Sequence, residues 1–303
     1  MDIGILITQW LLTSIVRGSL YALIAVGLTL VFRILKLANF SHGELFVFGA
    51  YIGIVFFNSF WIDNVILNAI ISYFLAFGAT AALAVFFDFA AYKPLRNRDA
   101  NPLMLMIASL GISIIIRGIV QFIWGPRVQK YAKPPQEIVD IGGALIYSSE
   151  IVVVFAVIAI FIGLYFLLTK TKIGTALRAI SDSKDLAEIS GINTEQSIIF
   201  LWVIAGGFAG LSGAVFATIS PAGIIPESGF QLLLFIFAAV IFGSIGNIYG
   251  AIIGAFIIIL VDTISAGIFS LLSISAEYSK IIVFVVLILV LLFKPQGIFG
   301  GKS

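Results

Sequence analysis

Long apolar stretches separated by short polar connections run through this chain from end to end. Runs such as Ile151–Leu168 and Ile281–Phe293 are continuously apolar, whereas strands of a membrane barrel alternate apolar and polar residues over about ten positions. Because backbone polar groups cannot stay unpaired in hydrocarbon, these runs predict membrane-spanning α-helices. We place the segments at residues 5–32, 40–60, 65–91, 103–124, 145–168, 198–219, 231–245, 248–271 and 278–293.

These segments predict about eight crossings, with an uncertainty of about one. The segments at 231–245 and 278–293 are short, and one of them, or the start of the first near Arg17, is expected to be re-entrant or interfacial. The expected fold is an all-α polytopic transmembrane helix bundle. It forms one membrane domain over residues 1–303, and its N-terminus is expected to be retained because it lacks a small-residue cleavage site.

Composition supports a membrane protein and excludes several other classes. Apolar residues make up 61% of the chain and charged residues 11%, against roughly 25% charged in a typical soluble domain. The absence of cysteine excludes a disulfide framework and a thiolate metal site. The net charge of +2 is too small to indicate nucleic-acid binding, and the single histidine, His42, argues against a metal cluster. We expect the chain to bind no cofactor.

Lysine and arginine in the short loops predict the orientation, because cytoplasmic loops are enriched in both. One group of loops and the C-terminus contain Arg33, Lys36, Lys93, Arg96, Arg98, Lys170, Lys172, Arg178, Lys184, Lys294 and Lys302. The opposite side contains Arg127, Lys130, Lys133 and Lys280. The first side is therefore expected to be cytoplasmic, although the three charges around Lys130 weaken the bias. If all the segments cross, the N-terminus lies outside and the C-terminus inside.

One long polar segment, residues 169–197, interrupts the apolar pattern. Ile173–Ile180 reads IGTALRAI, Asp182 and Ser183 are good capping residues, and Gly191 is expected to stop a helix. The pattern predicts two short helices joined near residues 181–183. Two interpretations are open: a segment that protrudes into water and transmits a push from a soluble partner, or a plain connecting loop.

Small residues recur at helical spacing in two places. Gly246, Gly250 and Gly254 form one row, and a second row contains Ala205, Ala209, Gly213 and Ala217. Such rows let helix backbones approach closely in lipid. They predict either packing within this chain or a seam with a second membrane subunit. We find no convincing internal repeat.

Four motifs in order carry a resemblance to a known family. They are Gly18–Tyr51 (GSLYALIAVGLTLVFRILKLANFSHGELFVFGAY), the polar segment, Phe242–Ile257 (FGSIGNIYGAIIGAFI) and Lys294–Gly300 (KPQGIFG). With these motifs the chain resembles the permease subunits of bacterial branched-chain amino acid ABC importers, most closely the LivH type. The family's pattern in the polar segment is matched here by Gly174, Arg178, Ala179, Ala187, Gly191 and Ile192.

The resemblance implies a permease with no ATPase of its own, and the chain contains no G-x-x-x-x-G-K-[ST] phosphate loop. ATP would be used by two cytoplasmic ATPase subunits, coupled through residues 169–197. An external substrate-binding protein would deliver the substrate, and a second, related permease would complete the pore. The implied location is a bacterial or archaeal inner membrane, and the implied substrates are branched-chain or other neutral amino acids.

Other functions remain open at this stage. Urea or short amides are alternative substrates within the family, and a stand-alone secondary carrier is the alternative outside it. An intramembrane enzyme would need a catalytic constellation, and the sequence has no second histidine, no cysteine and no paired-carboxylate motif. We therefore expect no enzymatic activity.

The polar cluster ANFSHGE contains Asn39, Ser41, His42, Gly43 and Glu44 at the start of the second segment. In one interpretation this turn lines or gates the transport pathway, with His42 and Glu44 paired, since polar groups at membrane depth usually face a cavity or a partner. In the other it is a capped helix start at the cytoplasmic interface, with Asn39 or Ser41 as the cap and Glu44 in the first turn.

Isolated charges also lie within or near apolar runs: Arg17, Asp88, Arg117 and Asp262. Asp88 is close to Lys93 and is expected to reach the cytoplasmic interface. For Arg117 and Asp262 we expect ion pairing inside the bundle, with hydrogen bonding to neighbouring helices open for Asp262. Recognition of substrate charge is the alternative.

Overall fold

The computed structural model describes residues 3–59, 64–132, 137–220 and 223–300. Three positions used in the sequence analysis lie outside these ranges: Lys133 and Lys302, which were counted in predicting the orientation, and residue 60, which ends the second apolar segment. The helices are α1 Ile3–Leu35, α2 His42–Ser59, α3 Val65–Phe87, α4 Lys93–Arg96, α5 Pro102–Trp124, α6 Ser148–Lys170, α7 Lys172–Asp182, α8 Lys184–Ile189, α9 Thr194–Ile219, α10 Ser228–Gly243, α11 Ile248–Leu271 and α12 Ser279–Phe293.

Every predicted apolar segment contains a helix, which confirms the polytopic helix bundle. Within the described residues, seven helical stretches are long and apolar enough to cross a membrane, and α10 is a shorter apolar helix. A π-helical turn, Asp88–Tyr92, joins α3 to α4, so that one helical stretch runs from Val65 to Arg96. These numbers agree with the prediction of about eight spans.

A short β-hairpin was not predicted from the apolar pattern. Strand β1, Ile138–Ile141, pairs antiparallel with β2, Ala144–Tyr147. Gly142 and Gly143 form the turn with positive φ angles, and the Gly143 amide donates to Asp140 Oδ1 at 2.6 Å. Because β2 occupies residues 144–147, α6 begins at Ser148 and not at the expected residue 145.

The chain divides into two compact units. The first comprises Met1–Thr29, Pro135–Val157 and Leu234–Ser303, and the second comprises Leu30–Pro134 and Ile158–Leu233. The expectation of one membrane domain over residues 1–303 stays a prediction, because this division does not show whether either unit folds alone.

In the second unit, α2 and α3 pack against the small-residue face of α9. A β-carbon at Gly206 would meet the Ala84 β-carbon on α3 at 2.5 Å, and a β-carbon at Gly49 on α2 would meet the Gly210 carbonyl oxygen at 2.5 Å. The Phe46 carbonyl lies against Gly213 in the same way. The small residues of α9 therefore serve packing within this chain.

In the first unit, α11 uses its glycines similarly. Gly250 lies against the backbone of Gly243, and Gly254 lies against Ala239. Gly246, the third member of this predicted row, instead adopts a φ of +84° between α10 and α11. Asp262 on α11 accepts a hydrogen bond from the Ser279 hydroxyl at 2.6 Å. It forms no ion pair with the described residues, so the alternative of hydrogen bonding to a neighbouring helix is the observed one.

Candidate functional site

The polar turn before α2 is organised around the Asn39 side chain, which is fully buried. Its Oδ1 accepts hydrogen bonds from the Ser41 amide at 3.1 Å, the Ser41 hydroxyl at 2.7 Å and the Tyr92 hydroxyl at 3.1 Å. Tyr92 ends the π-helical turn and stacks on Trp202 of α9, with ring centroids 5.0 Å apart. Asn39 thus fixes the turn to α9 through a stacked aromatic pair.

Glu44, in the first turn of α2, forms an ion pair with Arg117 of α5. The Arg117 Nε donates to Glu44 Oε1 at 3.1 Å, and the guanidinium lies 5.9 Å from the Phe230 ring centroid. The Glu44 side chain is 2% exposed and that of Arg117 is 27% exposed. This confirms the expected ion pairing of Arg117 inside the bundle; Glu44, 73 residues away, was not identified as its partner.

The start of α10 lies against the start of α2 within the second unit. A β-carbon at Gly43 would be 3.0 Å from the Gly229 carbonyl carbon and 3.0 Å from the Leu233 β-carbon. Just before α10, Glu227 Oε1 accepts a hydrogen bond from the side-chain Nε2 of Gln121 on α5 at 2.7 Å. This side of the turn therefore combines Glu44, Arg117, Gln121 and Glu227.

The packing of α2 against α9 places this cluster level with the middle of α9. Gly49 and Gly53 of α2 lie beside Gly210 and Ala214 of α9, so the two helices run in parallel. Extending the same register by five residues sets Glu44 level with Ala205, which is close to the centre of α9. Asn39, Ser41, His42 and Glu44 are all buried, so the turn does not have the surroundings of a solvated helix end. Its proposed role in the pathway stays a prediction.

The polar segment forms the two predicted helices. Thr171 caps α7, accepting from the Gly174 amide at 3.1 Å, and Ser183 caps α8, accepting from the Leu186 amide at 3.4 Å. Gly191 ends α8 with a φ of +81°. Gly174 is buried against the Leu168 carbonyl, where a larger side chain would not fit.

The two short helices present different residues to their surroundings. On α7, Leu177 and Ile180 are buried, whereas Arg178 is exposed and donates to the Leu168 carbonyl and to Thr175 Oγ1. Ala187 is the buried residue of α8. The remaining matched residues, Ala179 and Ile192, are half-buried.

Two apolar side chains of α8, which sequence reasoning did not single out, are strongly exposed: Leu186 at 66% and Ile189 at 84%. Because α8 is six residues long and charged, it is too short to span a membrane. Exposed apolar side chains outside the spanning helices are typical of a contact with another protein or with a membrane surface.

Two salt bridges lie where the helical stretch that ends at Arg96 meets the start of α9. Arg96 of α4 binds Asp88 through both carboxylate oxygens, at 2.5 and 3.2 Å, and Lys93 pairs with Glu195 of α9 at 3.1 Å. Asp88 is 1% exposed, so it is enclosed by the chain. Its expected position at the cytoplasmic interface stays a prediction. Within the described residues, no group of three His, Asp or Glu side chains could hold a metal ion.

Comparison with known proteins gives a consistent family. Residues 10–291 match the model of a family described as branched-chain amino acid transport system / permease component. A probable branched-chain amino acid transport permease protein, LivH of Methanocaldococcus jannaschii, is 32% identical over 302 residues, covering 95% of this chain and 90% of that protein.

Two high-affinity system permeases are similar over comparable lengths. BraD of Pseudomonas aeruginosa is 30% identical over 302 residues, covering 96% of this chain and 95% of the relative. LivH of Escherichia coli K12 is 30% identical over 301 residues with the same coverage of 96% and 95%. No solved structure matches the chain.

Proposed function

We propose, because this chain belongs to the family of permease components of branched-chain amino acid transport systems, that it is the membrane subunit of an ATP-driven importer of branched-chain or other neutral amino acids. The chain is a multi-pass membrane protein whose relatives are transport permeases, not enzymes. In the proposed importer it binds no cofactor, and ATP is hydrolysed on two cytoplasmic ATPase subunits.

The exposed apolar pair of α8 carries the coupling part of this proposal. Leu186 and Ile189 project from a capped element that connects α6 to α9, and Arg178 ties α7 to the end of α6. A partner that moves α7 and α8 would therefore pull on both helices. We propose residues 169–197 as the ATPase-coupling loop, and we assign this loop and the C-terminus to the cytoplasm because their side is richer in lysine and arginine.

The other partners follow from the importer class. A substrate-binding protein would deliver amino acids at the outer face, and a second, related permease would complete the pathway. We propose the plasma membrane as the location. The turn at residues 39–44 is the proposed pathway or gate element. Its burial and its position level with the middle of α9 support this role.

Affinity purification of the full-length chain from its native membrane tests the assembly. We expect two ATPase subunits and a second permease to co-purify, and the complex, reconstituted with its binding protein, to take up labelled leucine only with ATP. A monomer that transports leucine without ATP would contradict the importer and favour a secondary carrier. Preference for urea or acetamide over leucine would reassign the substrate.

A matched pair of variants tests the coupling surface. Ile189→Asp should weaken ATPase association and uptake, because it places a charge in the exposed apolar pair without disturbing a buried contact. Val139→Asp on the β-hairpin, 37% exposed, controls for an added charge elsewhere. Normal ATPase retention by Ile189→Asp would remove α8 from the interface.

His42→Ala tests the pathway role better than a large residue at Gly43. Leucine at position 43 would collide with Gly229 whatever the turn does. We expect His42→Ala to reduce uptake at matched membrane abundance, and normal uptake would leave the turn with a structural role only.

A further inference from the structure

The facing surfaces of α2 and α5 form a mixed polar and aromatic cluster. Glu44 and Tyr51 lie seven residues apart on α2, and Arg117 and Trp124 lie seven residues apart on α5, so each pair shares one helix face. Glu44 meets Arg117, and the Tyr51 ring lies 5.5 Å from the Trp124 ring. The two faces are therefore in contact along two helical turns.

Two polar atoms in this cluster lack a hydrogen-bond partner among the described residues: Glu44 Oε2 and the Tyr51 hydroxyl. Glu44 is 1% exposed and Tyr51 is fully buried. Buried polar atoms are nearly always paired, and leaving them unpaired is costly. These two unpaired atoms lie seven residues apart on one face of α2, so one group from outside this chain can complete the hydrogen bonding of both.

The charge balance of the cluster indicates the sign of that group. Glu44 and Glu227 carry two negative charges, and Arg117 carries one positive charge. Glu227 is near enough to interact electrostatically with both Glu44 and Tyr51, and it is held in place by Gln121. A carboxylate oxygen accepts hydrogen bonds, so the unpaired Glu44 oxygen requires a donor. A cationic donor satisfies both the charge balance and this oxygen.

We propose that this cluster, which we call the α2–α5 charge cluster (Glu44, Tyr51, Arg117, Gln121 and Glu227), recognises the α-ammonium group of an amino-acid substrate. Glu44 and Glu227 accept hydrogen bonds from the ammonium, and the Tyr51 hydroxyl provides a further partner. Arg117, whose side chain is partly exposed, remains available to the substrate carboxylate. The cluster thus selects amino acids over urea and short amides, which lack an ammonium group.

This inference rests on the proposed importer function, so wild-type transport must be measured with it. The complete complex, reconstituted with its binding protein, is assayed for ATP-dependent leucine uptake. Absence of uptake by the wild-type complex contradicts the proposed function itself. With wild-type uptake established, a Glu227→Gln complex is compared with a Glu277→Gln complex, which alters an exposed carboxylate between α11 and α12, outside the cluster and the coupling loop.

We expect Glu227→Gln to raise the KM for leucine about tenfold or more, because a charge-assisted hydrogen bond is lost. Glu277→Gln should leave the KM unchanged. Equal KM values for Glu227→Gln and wild type would overturn the proposal. Tyr51→Phe removes a hydroxyl with no described partner, so it should fold normally, and an unchanged KM in that variant would remove Tyr51 from the cluster's recognition role.

A binding measurement separates recognition from a structural role. The purified complex without its binding protein is heated with leucine, leucinamide or 4-methylpentanoate, and the rise in Tm is recorded. Leucine and leucinamide carry the ammonium and should stabilise the wild-type complex more than 4-methylpentanoate, which lacks it. Equal stabilisation by all three, or the same pattern with Glu227→Gln, would overturn ammonium recognition by this cluster.

Discussion

The turn before α2 and the loop of α7 and α8 are both polar interruptions of an apolar chain, yet they are held in different ways. In the turn, the partners of Asn39 and Glu44 are Tyr92 and Arg117, which are 53 and 73 residues away. In the loop, Thr171 and Ser183 bond to amides three residues on. The first region depends on how the helices pack, and the second is specified locally.

A substitution that separates α2 from α9 should cause the largest loss of stability, because the turn before α2 depends on helix packing. Gly49→Leu would drive a side chain into Gly210, and overpacking costs about 1–3 kcal/mol or more, so we expect a loss above about 3 kcal/mol. The variant should accumulate poorly and unfold at a lower Tm in detergent. Gly78→Leu on α3, where nothing lies within 4 Å, is the control. Similar Tm values for the two variants would contradict close α2–α9 packing.

Removing one partner of the ion pair should have the next largest effect. Arg117→Ala leaves Glu44 buried without its counter-charge. Breaking a fully buried pair costs roughly 3–5 kcal/mol, and we expect about 2–3 kcal/mol because Arg117 is 27% exposed. The double variant Glu44→Gln with Arg117→Ala should recover part of the loss, measured as Tm of the purified complex. A double variant less stable than Arg117→Ala would show that the pair is not coupled in this way.

A charge reversal in the loop should affect transport more than stability. Arg178→Glu removes the donors to Leu168 and Thr175 at the start of the coupling loop, so we expect uptake to fall about tenfold, equivalent to about 1.4 kcal/mol, with little change in Tm. Lys172→Glu, six residues earlier on α7 and also exposed, is the matched control. Unchanged uptake and ATPase association in Arg178→Glu would contradict the role of this arginine in coupling.

Loss of a single cap should have the smallest effect. Thr171→Ala removes the acceptor for the Gly174 amide and should cost about 1 kcal/mol, confined to α7. Hydrogen exchange should accelerate in α7 while the amides of α2 keep their protection. Faster exchange in both regions would show that the loop and the turn before α2 are not independently held.

The sequence by itself determined the helical segments, the two short helices of the polar loop and the family. Apolar runs, Ser183 as a cap and Gly191 as a stop act over a few residues, so their effects can be predicted without knowing the rest of the fold. The hairpin at 138–147 was missed because its strands are only four residues each, and an apolar strand start resembles the beginning of the following helix.

Only the tertiary structure decided which polar side chains meet. The sequence shows Arg117 as an isolated charge and Glu44 as a first-turn residue, and nothing in their spacing connects them. Their pairing depends on the parallel register of α2 beside α9 and on the face that α5 turns toward α2. Helix faces and registers are determined by contacts between segments far apart in the chain, such as Gly49 with Gly210, which local patterns do not specify.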